Sequence, residues 1–178
     1  HIVSRLTYPF KFKNGQYFET SLQAYQGRVG ITKTKGNNAP DEFFERRAAA
    51  SLIVYPQPFG VQAEYTIGVG PEFNTTTMRT ENANLKGGYI QLMYYAKAGA
   101  QLIIPFVRTQ YYNGGKKHEI DARKYRVTEH EIGIEWQPIS NFEFVAMYTI
   151  SNRTFEDYAT PLNNQKGNLL RLQAQCNF

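Results

Sequence analysis

Glu129-His130-Glu131 is the most chemically suggestive triplet in the chain, because two carboxylates and an imidazole make a metal-ligand set. Spacing decides against it. In an extended strand successive side chains point to opposite faces, so His130 turns away from both glutamates and the three cannot converge on one ion. His118 stands beside Gly114-Gly115-Lys116-Lys117, a composition expected of a solvated loop tip. No Ser/His/Asp or Cys/His set emerges, since Cys176 falls on an apolar stripe with no histidine placed beside it. Glu143 with a second carboxylate could suggest hydrolysis, but charged pairs lining a wet wall need no catalytic role. The residue types thus call for no enzyme, no metal and no cofactor.

Cations carry more information. Arg5, Lys11, Arg108, Arg153 and Arg171 fall on the polar stripes of separate strands or hairpins. Rings of Lys and Arg select anions in aqueous pores, as rings of Asp and Glu select cations. These five are the candidate pore-lining residues. The plainer expectation is that each pairs with a neighbouring glutamate on the same wall, and Glu129, Glu131 and Glu143 are available.

The elements that hold these residues show a period of two. Leu170, Leu172, Ala174, Cys176 and Phe178 alternate with Arg171, Gln173, Gln175 and Asn177. Phe142, Phe144, Ala146, Tyr148 and Ile150 oppose Glu143, Thr149, Ser151 and Arg153, with Val145 and Met147 as apolar exceptions. His130, Ile132, Ile134 and Trp136 oppose Glu129, Glu131, Gly133 and Glu135. Val61, Ala63, Tyr65, Ile67 and Val69 oppose Gln62, Glu64, Thr66 and Gly68. Over 101–112, Ile103, Pro105, Val107 and Tyr111 oppose Arg108 and Gln110, which leaves Ile104 and Phe106 on the polar side without a reason. The stretch 48–55 cannot be phased, because both faces are small or apolar.

Connections supply a second signal. Turns at 13–15, 56–58, 97–100 and 137–141 read as short, and those at 33–46, 71–86, 113–123 and 154–167 as long. Short and long alternate, as in outer-membrane barrels with short periplasmic turns and long extracellular loops. At the first turn, a three-residue loop Lys13-Asn14-Gly15 places Gly15 in the left-handed position. It pairs Phe12 with Gln16, Phe10 with Phe18 and Leu6 with Leu22, leaving Arg5 and Lys11 on the wet face with Glu19 and Gln23.

Composition agrees. Mean hydropathy is −0.51 while 15% of residues are aromatic, which suits a sheet with one greasy and one wet face. No apolar run reaches the ~20 residues of a spanning helix. The net charge of +5 is dispersed, so a nucleic-acid partner has little support. Single Cys176 forms no intrachain disulfide. Aromatics near the ends of the apolar stripes (Tyr111, Trp136, Tyr148, Phe178) resemble membrane girdles and put the apolar face toward lipid.

The expected fold is therefore all-β: an antiparallel transmembrane β-barrel contributing about nine strands. An odd count with a periplasmic C-terminus implies further strands upstream, about half the wall for a pore of about 16–18 strands. Two alternatives remain: a soluble lipocalin-like β-barrel binding a small apolar ligand inside, and a pore-less structural barrel with a filled lumen.

Three stretches also carry a family resemblance. The end, Leu169-Leu170-Arg171-Leu172-Gln173-Ala174-Gln175-Cys176-Asn177-Phe178, looks like the terminal signal by which outer-membrane barrels are recognised for assembly. Pro105-Phe106-Val107-Arg108 with Tyr111-Tyr112, and Glu131-Ile132-Gly133-Ile134-Glu135-Trp136-Gln137-Pro138, are similar to the phosphate-selective porins O and P. The resemblance spans about residues 87–178. It implies that 1–178 is the C-terminal part of a single barrel domain in the bacterial outer membrane. It further implies a channel, often a homotrimer, for small hydrophilic solutes or anions such as phosphate, with outer-membrane lipid and the barrel-assembly machinery as partners. The family's constriction depends on inward loops and on strands outside this sequence.

Overall fold

The computed structural model describes residues 1–33 and 41–176. Nine long strands and one short one form a single antiparallel sheet. They are β1 (Ile2–Lys11), β2 (Tyr17–Ile31), β3 (Asp41–Val54), β4 (Phe59–Asn74), β5 (Arg79–Tyr94), β6 (Ala96–Ala98), β7 (Gln101–Gly115), β8 (Lys124–Ile139), β9 (Phe142–Glu156) and β10 (Asn163–Cys176). Each long strand pairs with the next, and β6 is a short piece that pairs only with the start of β7. β1 is bonded only to β2 and β10 only to β9, so the sheet has two free edges among the described residues. The terminal Asn177 and Phe178, and with them the last aromatic of the expected girdle, lie outside those residues.

The first hairpin has the expected register. Phe10 pairs with Phe18 and Leu6 with Leu22, while the amides of Phe12 and Gly15 bond to the carbonyls of Gln16 and Phe12, each at 2.9 Å. Gly15 adopts φ 87°, the left-handed conformation this turn requires.

Facing follows the alternation. On β8 every outward residue from Arg126 to Trp136 is exposed, while Glu129 and Glu131 on the other face are only 8% and 9% exposed. A flat sheet would expose both faces equally, so the lower exposure of the polar face marks the concave side. Register carries the apolar face across the sheet through Leu22, Ala50, Tyr65, Ile90, Val107, Ile132, Ile134, Phe144, Tyr148, Leu170 and Leu172. Ile132, Leu170 and Leu172 remain more than 60% exposed. The buried polar set, Ser21, Glu45, Glu129, Glu131 and Thr149, lies on the other side. A soluble barrel with an apolar interior would show the reverse.

The ambiguous stretches resolve by pairing. In β3, Ala50 and Leu52 lie opposite Leu22 and Thr20 and face outward, while Ser51 faces inward and bonds to Ser21 at 2.6 Å between hydroxyls. The inward apolar exceptions fall into one patch. Met93, Phe106, Gly133 and Met147 are successive register partners, with Ile104 and Val145 one step along. Phe106 lies over Gly133, where a Cβ would come within 2.3 Å of its ring.

Strand ends on the long-loop side differ from expectation. β3 begins at Asp41, inside the loop read at 33–46, and residues 34–40 of that loop lie outside the described ones. β4 and β5 continue through most of 71–86, pairing Glu72 with Glu81, and are joined by residues 75–78 alone. This hairpin runs past the last residues paired with β3, and although Phe73 and Leu85 on it are buried, its other residues are mostly polar and resemble a loop. The other connections shorten to 116–123 and 157–162.

Candidate functional site

The concave face carries the candidate residues in two groups. Arg108 on β7, Arg153 on β9 and Arg171 on β10 line one depression of about 540 Å³ with Glu129, Glu131 and Ser151. Arg5 and Lys11 stand on the far strand β1 and are not brought to it.

Two of the three clustered arginines are held by glutamates. Arg153 donates to Glu129 at 2.7 Å from one terminal nitrogen and at 3.3 Å from Nε. Ser151 at 2.7 Å and the Gln110 amide also donate to that carboxylate. Arg108 approaches Glu131 at 3.7 Å, beyond hydrogen-bond length, and stacks its guanidinium 4.5 Å from the centroid of the Tyr89 ring. Thr149 donates to Glu131 at 3.3 Å. Arg5 pairs with Glu19 at 3.4 Å. Arg171 and Lys11 are exposed and pair with no described residue. Further along the same face Glu135 and Glu143 face inward, as the alternation requires. His130, between its two buried glutamates, faces outward and shares a 3.1 Å hydrogen bond with Thr109.

The second group was not visible in the sequence. The 116–123 connection, expected as a solvated tip, folds over the concave face, although His118 itself stays exposed. Its short 3₁₀ turn (Ile120–Ala122) packs against β2, β4 and β5. The Asp121 amide donates to the Thr32 carbonyl at 2.8 Å, and Thr80 donates to the Asp121 carbonyl at 3.0 Å. Lys117 reaches Glu45 at 3.1 Å and lies over the Tyr25 ring. Arg47 completes the cluster from β3, and Glu45 is fully buried between the two cations. Gly115 permits the entry, since a Cβ there would meet the Pro71 carbonyl at 1.9 Å. The buried apolar residues Ile31, Phe73, Leu85 and Ala122 lie on this turn or on the strands it packs against.

The family model for phosphate-selective porin O and P matches residues 29–178, from the end of β2 through β10. The chain belongs to that family. The match begins well upstream of the stretch whose motifs resemble it, so the shared pattern includes strands with no legible motif. No curated protein and no solved structure matches. The family is one of outer-membrane channels rather than enzymes, and the porin's inverted wall, apolar outside and polar within, fits that setting.

Outside the wall, Arg123 links the inward connection to the next one through Asp157. Burial raises the Asp157 carboxyl, but the Thr160 amide and the Arg123 guanidinium outweigh it and hold it below the ordinary carboxylate value. A depressed folded value means this clasp is fully present above the ordinary value and is lost as pH falls through the folded one. Asp157→Asn is expected to cost about 1–2 kcal/mol of local stability at neutral pH. Hydrogen exchange of residues 157–162 should show it, with the difference from the parent vanishing at acid pH. Equal protection in both proteins at neutral pH would refute the clasp.

Proposed function

We propose that this porin forms part of the wall of a water-filled pore through which small hydrophilic solutes, anions among them, diffuse passively. The observation that carries it is the polar, charge-lined concave face opposite an exposed apolar one. A membrane leaves no exposed sheet edge unpaired, so further strands closing β1 and β10 into one barrel belong to the same reading. So do a homotrimer and recognition of β10 by the assembly machinery.

Anion contact is assigned to Arg171, with Arg108 and Arg153 held in place beside it. Pairing with Glu131 and Glu129 orients those two guanidinium groups and offsets their net charge, while Arg171 keeps its own. A unit charge ~7 Å from a permeating ion in water is worth about 0.6 kcal/mol, or about threefold in occupancy. In the full-length protein in a planar bilayer, Arg171→Gln should lower the anion-to-cation permeability ratio about sevenfold, because the anion loses what the cation gains. Glu131→Gln, which leaves Arg108 uncompensated, should raise it by a similar factor. Reversal potentials under a salt gradient measure both. Cation preference in the parent, or no shift in either variant, would reject the anion role.

A further inference from the structure

The outward face ends differently at its two borders. At the short-turn end it carries Phe10, Phe59, Tyr94 and Trp136, all exposed. At the long-loop end it carries cations. Lys86 on β5, Asn113 on β7 and Arg126 on β8 are successive register partners, and Arg46 on β3 stands diagonally across β4 from Lys86. Arg46, Lys86 and Arg126 are all exposed. Successive cations are two strands apart, about 10 Å.

Two features separate this row from an ordinary solvated rim. First, Arg46, Lys86 and Arg126 pair with no described residue, whereas most inward cations, Arg47, Arg108, Lys117 and Arg153 among them, each have a glutamate, and Lys11 and Arg171 lack one among the described residues. Of the outward acids at this end, Glu42 is taken by Arg28 at 3.3 Å. Second, the row borders a groove of about 660 Å³ lined by Arg46, Ala48, Ile67, Val69, Lys86 and Asn113. Its floor is mainly apolar, and the side-chain oxygen of Asn113 is buried without a hydrogen-bond partner.

Height fits a membrane border. Eight residues separate Val54 from Arg46 on β3, about 27 Å along the strand. At a tilt of about 40° that is roughly 20 Å along the normal, close to the apolar band of about 25 Å. Cations at that level lie among lipid head groups, where unpaired Lys and Arg attract anionic ones. Arginine adds bidentate recognition of phosphate, and a lysine adds a point charge.

We propose that Arg46, Lys86 and Arg126 form a docking surface for the phosphorylated head group of an anionic membrane lipid, with an acyl chain lying in the apolar groove beneath. The surface rests on the outer-membrane placement and not on the selectivity of the pore.

The test uses the full-length protein in non-ionic detergent, titrated with diphosphoryl lipid A and read by native mass spectrometry. Its fully dephosphorylated form and inorganic phosphate serve as comparison probes. The parent should bind the diphosphoryl lipid saturably and the dephosphorylated one weakly. Each of Arg46→Gln, Lys86→Gln and Arg126→Gln should weaken binding about fivefold. Lys13→Gln and Lys97→Gln, at the opposite border, should leave it unchanged. Retained single-channel conductance shows that each variant is folded and separates loss of docking from loss of the pore. Equal binding of the two lipids, equal weakening by the opposite-border variants, or displacement of the lipid by millimolar inorganic phosphate would overturn the proposal.

Discussion

Ile132→Arg is expected to destabilise the folded porin by about 2–4 kcal/mol, while Gln173→Arg changes stability by only a few tenths. Ile132 lies at mid-height on β8, between Val107 and Tyr148, and is 62% exposed on the convex face. In water that exposure would make the site tolerant. In a bilayer it places the side chain against hydrocarbon, and a guanidinium there must draw in water or snorkel past several residues to reach it. Gln173 projects from the concave face of β10, where a cation meets solvent. Leu172→Arg, one residue away on the opposite face, should behave like Ile132→Arg, less so if it stands nearer an interface. Refolding the full-length protein into vesicles against a urea gradient measures all three. Similar losses at Leu172 and Gln173 would mean that the convex face does not meet lipid.

What the sequence discloses divides along the range of the interaction responsible. Facing on β8, β9 and β10 is a local property, because alternate residues must share a face whatever the strand pairs with. The first hairpin is local too, since Gly15 at φ 87° fixes the loop length and hence every pair from Phe10–Phe18 to Leu6–Leu22. The alanine run of β3 has no such signal, and only pairing with Leu22 and Tyr65 assigns Ala50 outward. The β4–β5 extension is hidden for another reason. Glu72, Asn74, Glu81 and Asn82 have loop-like composition, yet cross-strand pairing makes them strand. Arg108 and Arg153 show the limit most directly. Alternation places them on the wet face, but whether they are free or neutralised depends on glutamates of the neighbouring strand β8. The inward seat of 116–123 depends on Glu45, more than seventy residues earlier in the chain.

That seat yields the second large effect. Glu45→Ala is expected to release the first half of the inward connection, at a local cost of about 2 kcal/mol. Breaking a buried ion pair by removing one partner costs about 3–5 kcal/mol when the remaining charge stays buried. Here Arg47 and Lys117 are each 30% exposed, so water recovers part of that loss. Lys117 then has no reason to stay against Tyr25, whereas Asp121 keeps its bonds to Thr32 and Thr80. Release should therefore be confined to the stretch around Lys116 and Lys117, and trypsin should cut there in Glu45→Ala and spare the parent. Because the connection covers part of the concave face, the same variant should show a noisier open-channel current in single-channel recordings. Glu42→Ala is the control, since it removes an exposed pair with Arg28 worth well under 1 kcal/mol and leaves the Lys117 pair intact. If Glu45→Ala and Glu42→Ala resist trypsin equally and conduct alike, the buried carboxylate is not what holds the connection inward. The hydrogen bonds of Asp121 to Thr32 and Thr80 would then be sufficient to seat it.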